Sequence, residues 1–220
     1  MIHVQRQRQP KGFKQLVGDP GKAFLAKKAN PSSRDYKGHE YWTRVSKQLY
    51  GAYGGICAFS CHFIALDTGF RTVEHFKSKV AYPHKAYSWA NYRLVCGLLN
   101  GRKGEHQDVL DPFLVEDGWF VLSFPGIIVK PNDRLPKRRW KQVDATIRRL
   151  CLNSDESCVD SRQHWLEEYC RFASGDEHRA YSSLVRHAPF IAKELHRQGL
   201  RGDPIVQQRR ITIRRGRIAN

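Results

Sequence analysis

Between Gly38 and Lys103 the spacing of apolar residues changes twice, and few architectures accept both changes in so short a span. From Gly38 to Tyr53, the residues Tyr41, Trp42, Val45, Leu49, Tyr50 and Tyr53 follow the three-and-four spacing of an amphipathic helix. Residues 61–66 and 70–76 are then β-rich runs around Asp67-Thr68-Gly69, which predicts a hairpin whose glycine supplies a positive φ. A loop with Pro83 follows, then the strand-like run 91–96, then a short helix starting near Gly97. Further on, "VLDPF" and "GWFVLSFPGIIV" predict a second small sheet element. From Pro136 the chain reads as helix in three segments, the last bent or broken before Pro189. The expected fold class is α+β, a small strand-and-helix core embedded in a mainly helical chain. Its expected divisions are a basic N-terminal arm over 1–37, extended and rich in Pro and Gly, a core with its preceding helix over 38–130, a helical region over 131–200 and a basic tail over 201–220.

Charge narrows the function. The chain has 38 Lys and Arg against 21 Asp and Glu, a formal charge of +17, and such an excess favours a polyanion partner, because each phosphate neutralised releases a condensed counterion. No apolar run reaches the roughly 18 residues that span a bilayer, so no membrane partner is expected and a soluble, cytoplasmic protein is. The six cysteines then read as reduced thiols or metal ligands rather than disulfides. The tail from Ile205 to Asn220, with five Arg and no acid, reads as a non-specific polyanion contact.

The chemistry concentrates in residues 73–105. Phosphodiester hydrolysis needs an activated water, positive charge at the developing oxyanion and groups that align both. His75 has the ordinary pKa of a general base at neutral pH. Glu74 offers a carboxylate and Asn100 a neutral carbonyl oxygen, a hard donor set suited to one Mg²⁺ or Mn²⁺ with waters retained. Adjacent strand residues point opposite ways, so Glu74 and His75 reach one site only if the strand ends or bulges there. Lys77, Lys79, Arg102 and Lys103 flank the site as candidate nucleic-acid contacts, or as a solvated rim. Asp108 and Asp111 either extend the metal shell or form an ordinary turn, and Asn91 and Asn100 each have a capping reading. His62 and His84 read as packing or surface histidines.

Glu74-His75, Trp89-Ala90-Asn91 and Cys96-Gly97-Leu98-Leu99-Asn100 followed by Lys103-Gly104 resemble the three signatures of HNH endonucleases, whose ββα-metal motif is a hairpin and a helix around one divalent ion. The resemblance implies that His75 is the general base, that Asn91 orients the loop holding it, and that Glu74 and Asn100 are metal ligands. "VLDPF" and "ATIRRLCLNSDESCVDSR" are similar to the flanks of HNH proteins that accompany an ATPase in Septu-type and retron-linked antiphage defence, which implies an ATPase partner. Many relatives brace the motif with a structural zinc in two Cys-x-x-Cys pairs. Here the pairs read Cys57-Ala58-Phe59-Ser60 and Cys96-Gly97-Leu98-Leu99, so the second cysteine of each is absent. Either Cys61, with His62 beside it, rebuilds a zinc site with Cys57 and Cys96, or Ile56, Phe59, Leu98 and Leu99 replace the metal by packing.

Two functions follow as expectations. One is a metal-dependent endonuclease, with DNA favoured over RNA. The other is a catalytically silent nucleic-acid-binding or scaffold subunit on the same fold. The chain lacks a Gly-x-x-x-x-Gly-Lys-Ser/Thr motif, so ATP hydrolysis would belong to a partner.

Overall fold

The computed structural model describes residues 1–124 and 126–202; the expected polyanion tail therefore lies outside the described residues. The chain is mixed helix and strand and divides into two compact units. The hairpin unit comprises His3–Phe59 and Phe63–Val115; the helical unit runs from Glu116 onward and includes Met1–Ile2 and Ser60–His62. Residues 116–130, expected to belong with the core, thus group with the C-terminal helices. Among the described residues no helix is long and apolar enough to cross a membrane.

In the hairpin unit, residues 4–10 form no regular element and are held by long-range bonds, Val4 N to Pro112 O at 2.9 Å and Gln7 N to the Tyr53 hydroxyl at 3.2 Å. The arm is helical beyond them: a π-helical turn at Lys14–Gly18 runs into α1 (Asp19–Lys27), whose Pro20 sits in the first turn, where its missing N–H costs nothing. Helix α2 (Ser46–Ala52) buries Leu49. Strand β1 (Arg71–His75) pairs antiparallel with β2 (Tyr92–Cys96), placing Glu74 opposite Arg93 and His75 opposite Tyr92. Helix α3 (Gly97–Lys103) follows β2 without a linker. A Cβ at Gly97 would stand 2.5 Å from Phe70 Cδ1, so glycine lets the exposed Phe70 ring lie against the turn from strand to helix.

The expected hairpin around Asp67-Thr68-Gly69 does not form. Residues 61–66 make only an isolated bridge, Ile56 with Phe63, and the partner of β1 is β2. Nor does Gly69 take a positive φ; its lack of a side chain instead admits Ala65 O, which a Cβ would meet at 2.5 Å.

In the helical unit β3 (Phe120–Ser123) and β4 (Ile128–Pro131) form the expected second sheet. With only two strands, both edges are open, and side chains close them. Asn153 pairs with Val129 as a strand would, Nδ2 donating to the carbonyl at 2.7 Å and Oδ1 accepting from the amide at 2.9 Å. On β3, Leu122 N donates to Glu194 Oε2 at 2.8 Å, and Gln198 Nε2 donates to Leu122 O at 2.8 Å. Helix α4 (Lys137–Arg149) packs on β4. Helix α5 (Glu156–His187) opens on an Asp155 cap and kinks at Asp176, and α6 (Pro189–Arg197) follows the break at Ala188. Asn153→Ala removes both bonds to Val129 and is expected to cost about 2 kcal/mol, read as a lower urea midpoint at unchanged denaturant slope.

Candidate functional site

Strand β1 ends at His75, and both Glu74 and His75 are buried. Here the side chain of Glu74 turns to α3 while that of His75 turns into an aromatic pocket, so the two neighbours have different surroundings, as alternation along a strand dictates. The His75 ring meets Trp42 edge-on at 4.6 Å and Tyr92 at 5.1 Å. Its Nε2 lies 2.8 Å from Ala86 O, which also accepts from the Tyr92 hydroxyl at 2.9 Å. A carbonyl only accepts, so Nε2 of the neutral ring carries the hydrogen and Nδ1 keeps the lone pair. Burial lowers the His75 pKa to about 3, against the pull of the Ala86 bond and with help from the positive charges of Lys79 and Lys103. The ring is therefore a neutral base throughout the physiological range.

Asn91 fixes the loop that carries Ala86. It is buried; its Oδ1 accepts from Lys77 N at 2.8 Å, and its Nδ2 donates to Lys77 O at 2.9 Å and Lys85 O at 3.2 Å. Phe76 N donates to Asn91 O at 3.0 Å and extends the β1–β2 ladder by one bond. One amide thus ties both ends of the loop 77–85 to the start of β2, and capping and loop orientation are the same act in this residue.

Lys103 departs from its expected place. It is not on the rim: its side chain is 1% exposed, and its ammonium lies 2.7 Å from Oε1 of Glu74, itself 6% exposed. The same ammonium donates to Gly104 O at 3.1 Å and stands 5.5 Å from the Phe76 ring centroid. Burial raises the Glu74 carboxyl above the ordinary carboxylate range, and the Lys103 charge draws it only part of the way back. Asn100 lies one turn before Lys103 on α3 and shares its face. The carboxylate of Glu74 is thus already occupied by a cation, and a divalent ion bound there would have to displace the ammonium.

The remaining candidates separate. Lys79 Nζ stands over the Tyr36 and Trp42 rings at 5.6 and 5.7 Å, and Lys77 Nζ is 3.5 Å from Gln107 Oε1; both are half-buried, as is Arg102. Asp111 does not extend a metal shell: it clamps the buried Arg93, with Nε and Nη2 at 2.8 and 2.7 Å, while Phe113 stacks beneath the guanidinium at 3.5 Å. Cys57 and Cys96 meet as reduced thiols, Sγ to Sγ 3.8 Å. Cys61 and His62 belong to the helical unit, where His62 Nδ1 is 2.8 Å from Ser161 Oγ. Among the described residues no three His, Cys, Asp or Glu side chains gather as a metal cage, and the Cys57, Cys61 and Cys96 set is not assembled. Neither the Lys103 pairing nor the Ala86 carbonyl is evident from the sequence; the spacing of three between Asn100 and Lys103 is the one signal that points to the first.

No protein-family model matches the chain, and no curated protein matches it either. The likeness to HNH enzymes accordingly rests on the residues themselves.

Two measurements check this geometry. Lys103→Met strands a buried carboxylate and is expected to lower stability by about 3 kcal/mol, whereas Glu74→Gln with Lys103→Met recovers most of the loss; equal losses in both would remove the ion pair from the account. For His75 the unfolded chain takes up a proton near pH 6.5 and the folded chain only near 3, so its contribution is complete above pH 6.5 and is lost as pH falls towards 3. Urea titrations from pH 7.5 down to about 4.5 should show this decline, shallower in His75→Phe.

Proposed function

We propose that this chain is a divalent-metal-dependent endonuclease of the HNH, ββα-metal type, hydrolysing phosphodiester bonds of nucleic acid, with DNA the favoured substrate. The observation that carries the proposal is the end of β1. There one strand terminus presents a tautomer-fixed neutral imidazole and a carboxylate paired with a cation, with Asn91 holding the loop between them and β2. A role in the cytoplasm as the nuclease subunit beside an ATPase, in antiphage defence, belongs to the same proposal and rests on the sequence resemblance alone.

In this mechanism Nδ1 of His75 takes the proton from a water as its oxygen attacks phosphorus. Nε2 keeps its hydrogen on Ala86 O, so the ring gains a proton without turning. The P–O3′ bond breaks and the departing oxygen takes a proton from solvent, leaving a 5′-phosphate and a 3′-hydroxyl, the ends that the resemblance implies. A Mg²⁺ or Mn²⁺ ion held by Glu74 and Asn100 would supply positive charge to the phosphoryl oxygens and the departing oxygen. Asn91 acts through the loop and is a positioning residue.

The buried ion pair also favours a second reading. A carboxylate satisfied by Lys103 has no need of a metal, and a chain that always kept this pair would be the silent nucleic-acid-binding subunit. The readings part at metal binding. If ammonium and metal exchange at Glu74, Lys103→Met should bind Mn²⁺ at least tenfold more tightly than the unaltered chain in calorimetric titration, and Glu74→Gln should abolish that gain. No metal uptake by either protein supports the silent reading. For activity, plasmid nicking in Mg²⁺ or Mn²⁺ is expected to fall by roughly 10²- to 10⁴-fold in His75→Ala; undiminished nicking would refute the assignment of the base.

A further inference from the structure

The outward face of α4, in the helical unit, carries a row of cations that the catalytic proposal does not use. Lys137, Arg138, Lys141 and Arg148 are all exposed, whereas Val143, Thr146 and Ile147 form the buried side. Lys137, Lys141 and Arg148 are spaced by four and seven residues, so they lie along one line of the helix over roughly 16 Å. Among the described residues Lys137, Arg138 and Lys141 have no acidic partner within ion-pair distance; Arg148 pairs with Asp144 at 2.6 Å, and its side chain is still 75% exposed. Arg139 is engaged elsewhere, stacked at 3.8 Å on Trp119 and bonded to Gln142.

The N-terminal part of this distribution opposes the helix that carries it. Lys137, Arg138 and Arg139 crowd the first turn, which holds no acid and no side-chain cap, at the end where the macrodipole is positive. Lys137 and Lys141 repel one another one turn apart. An isolated helix gains nothing from these first-turn cations, although Arg148 sits favourably in the last turn beside Asp144; a polyanion laid along the face relieves the repulsions of the first turn. The other candidates for this face fit poorly. A lipid surface needs a free apolar face, and on α4 only Trp140, 36% exposed, is free, the aliphatic side Val143 and Ile147 being buried. A protein interface needs an apolar centre and is depleted in lysine, whereas this row is lysine and arginine.

We propose that the outward face of α4 is a nucleic-acid-docking surface that grips the sugar-phosphate backbone without reading bases. It supplies affinity from the helical unit, while the proposed cleavage chemistry lies in the hairpin unit. The inference shares with the nuclease reading only the polynucleotide, and it stands or falls separately from catalysis.

The test is equilibrium binding of a short fluorescein-labelled DNA duplex by the full chain in EDTA, over a range of salt concentrations. The fourfold variant Lys137→Gln, Arg138→Gln, Lys141→Gln, Arg148→Gln should flatten the plot of log affinity against log salt by about 3 to 4 units, at about 0.9 for each phosphate that is no longer neutralised. A control with the same charge change at exposed positions outside α4, Lys22→Gln, Lys27→Gln, Lys37→Gln and Lys47→Gln, should flatten it much less. Equal flattening in both would overturn the surface in favour of diffuse attraction, and an unchanged slope in the α4 variant would overturn it outright. So would loss of binding to anionic vesicles with DNA binding intact. His75→Ala should retain the full slope, so a failed nuclease reading and a failed docking surface give different results. The thermal midpoint of the α4 variant, unchanged or raised, shows that it folds.

Discussion

A buried carboxylate cannot stand alone, and in the hairpin unit that constraint falls on Glu74. Its partner must be a cation brought in by another element, and the element is α3, whose last residue is Lys103. The pair therefore fastens the helix to β1 at the point where the strand stops. Hydrophobic packing of Leu94, Val95 and Leu99 holds the same elements together but is indifferent to small shifts; the ionic contact is not. Removing two charges from water offsets most of their attraction, so the pair contributes definition of geometry more than net stability. It also leaves the carboxylate committed to positive charge, which any metal must take over.

The two small sheets solve one problem by different means. The β1–β2 pair is continued by backbone, with Phe76 and Asn91 adding a bond beyond its end. The β3–β4 pair is finished by side chains: Asn153 plays a strand against Val129, while Glu194 and Gln198 cover Leu122. Two strands alone are marginal in water, and each pair persists because neighbouring elements take up its open hydrogen bonds.

Much of this is legible in the residues, though unevenly. The α+β composition, the strand runs over 70–76 and 91–96, the helix from Gly97 and the break before Pro189 all follow from period and punctuation, whereas the helix expected over 38–53 forms as a 3₁₀ turn at Tyr41–Val45 and α2. The pairing of β1 departs from expectation because adjacency in sequence is not partnership. Residues 61–66 are apolar enough for a strand, yet Ser60–His62 group with the helical unit and Gly69 packs against Ala65, so the run cannot lie along β1. The true partner lies beyond a loop whose closure depends on Asn91, and no local pattern reports such a tie. Lys103 reads as a rim residue because lysines are almost never fully buried; only the three-dimensional approach of Glu74 reverses that expectation. The order Glu74, His75, Asn91 and Asn100 is visible in the sequence, whereas the nitrogen of His75 that is left available depends on Ala86, a residue with no side-chain chemistry to notice.

That carbonyl has a further consequence. Ala86 O accepts from His75 and from Tyr92 at once and can donate to neither. A proton reaching the imidazole therefore enters and leaves by the same nitrogen. The ring cannot act as a conduit passing protons from one side of the protein to the other; it is a single-door store, emptied only into the space from which it was filled. Any chemistry at this site must therefore begin and end its proton transfers on one side of the ring, within reach of Nδ1.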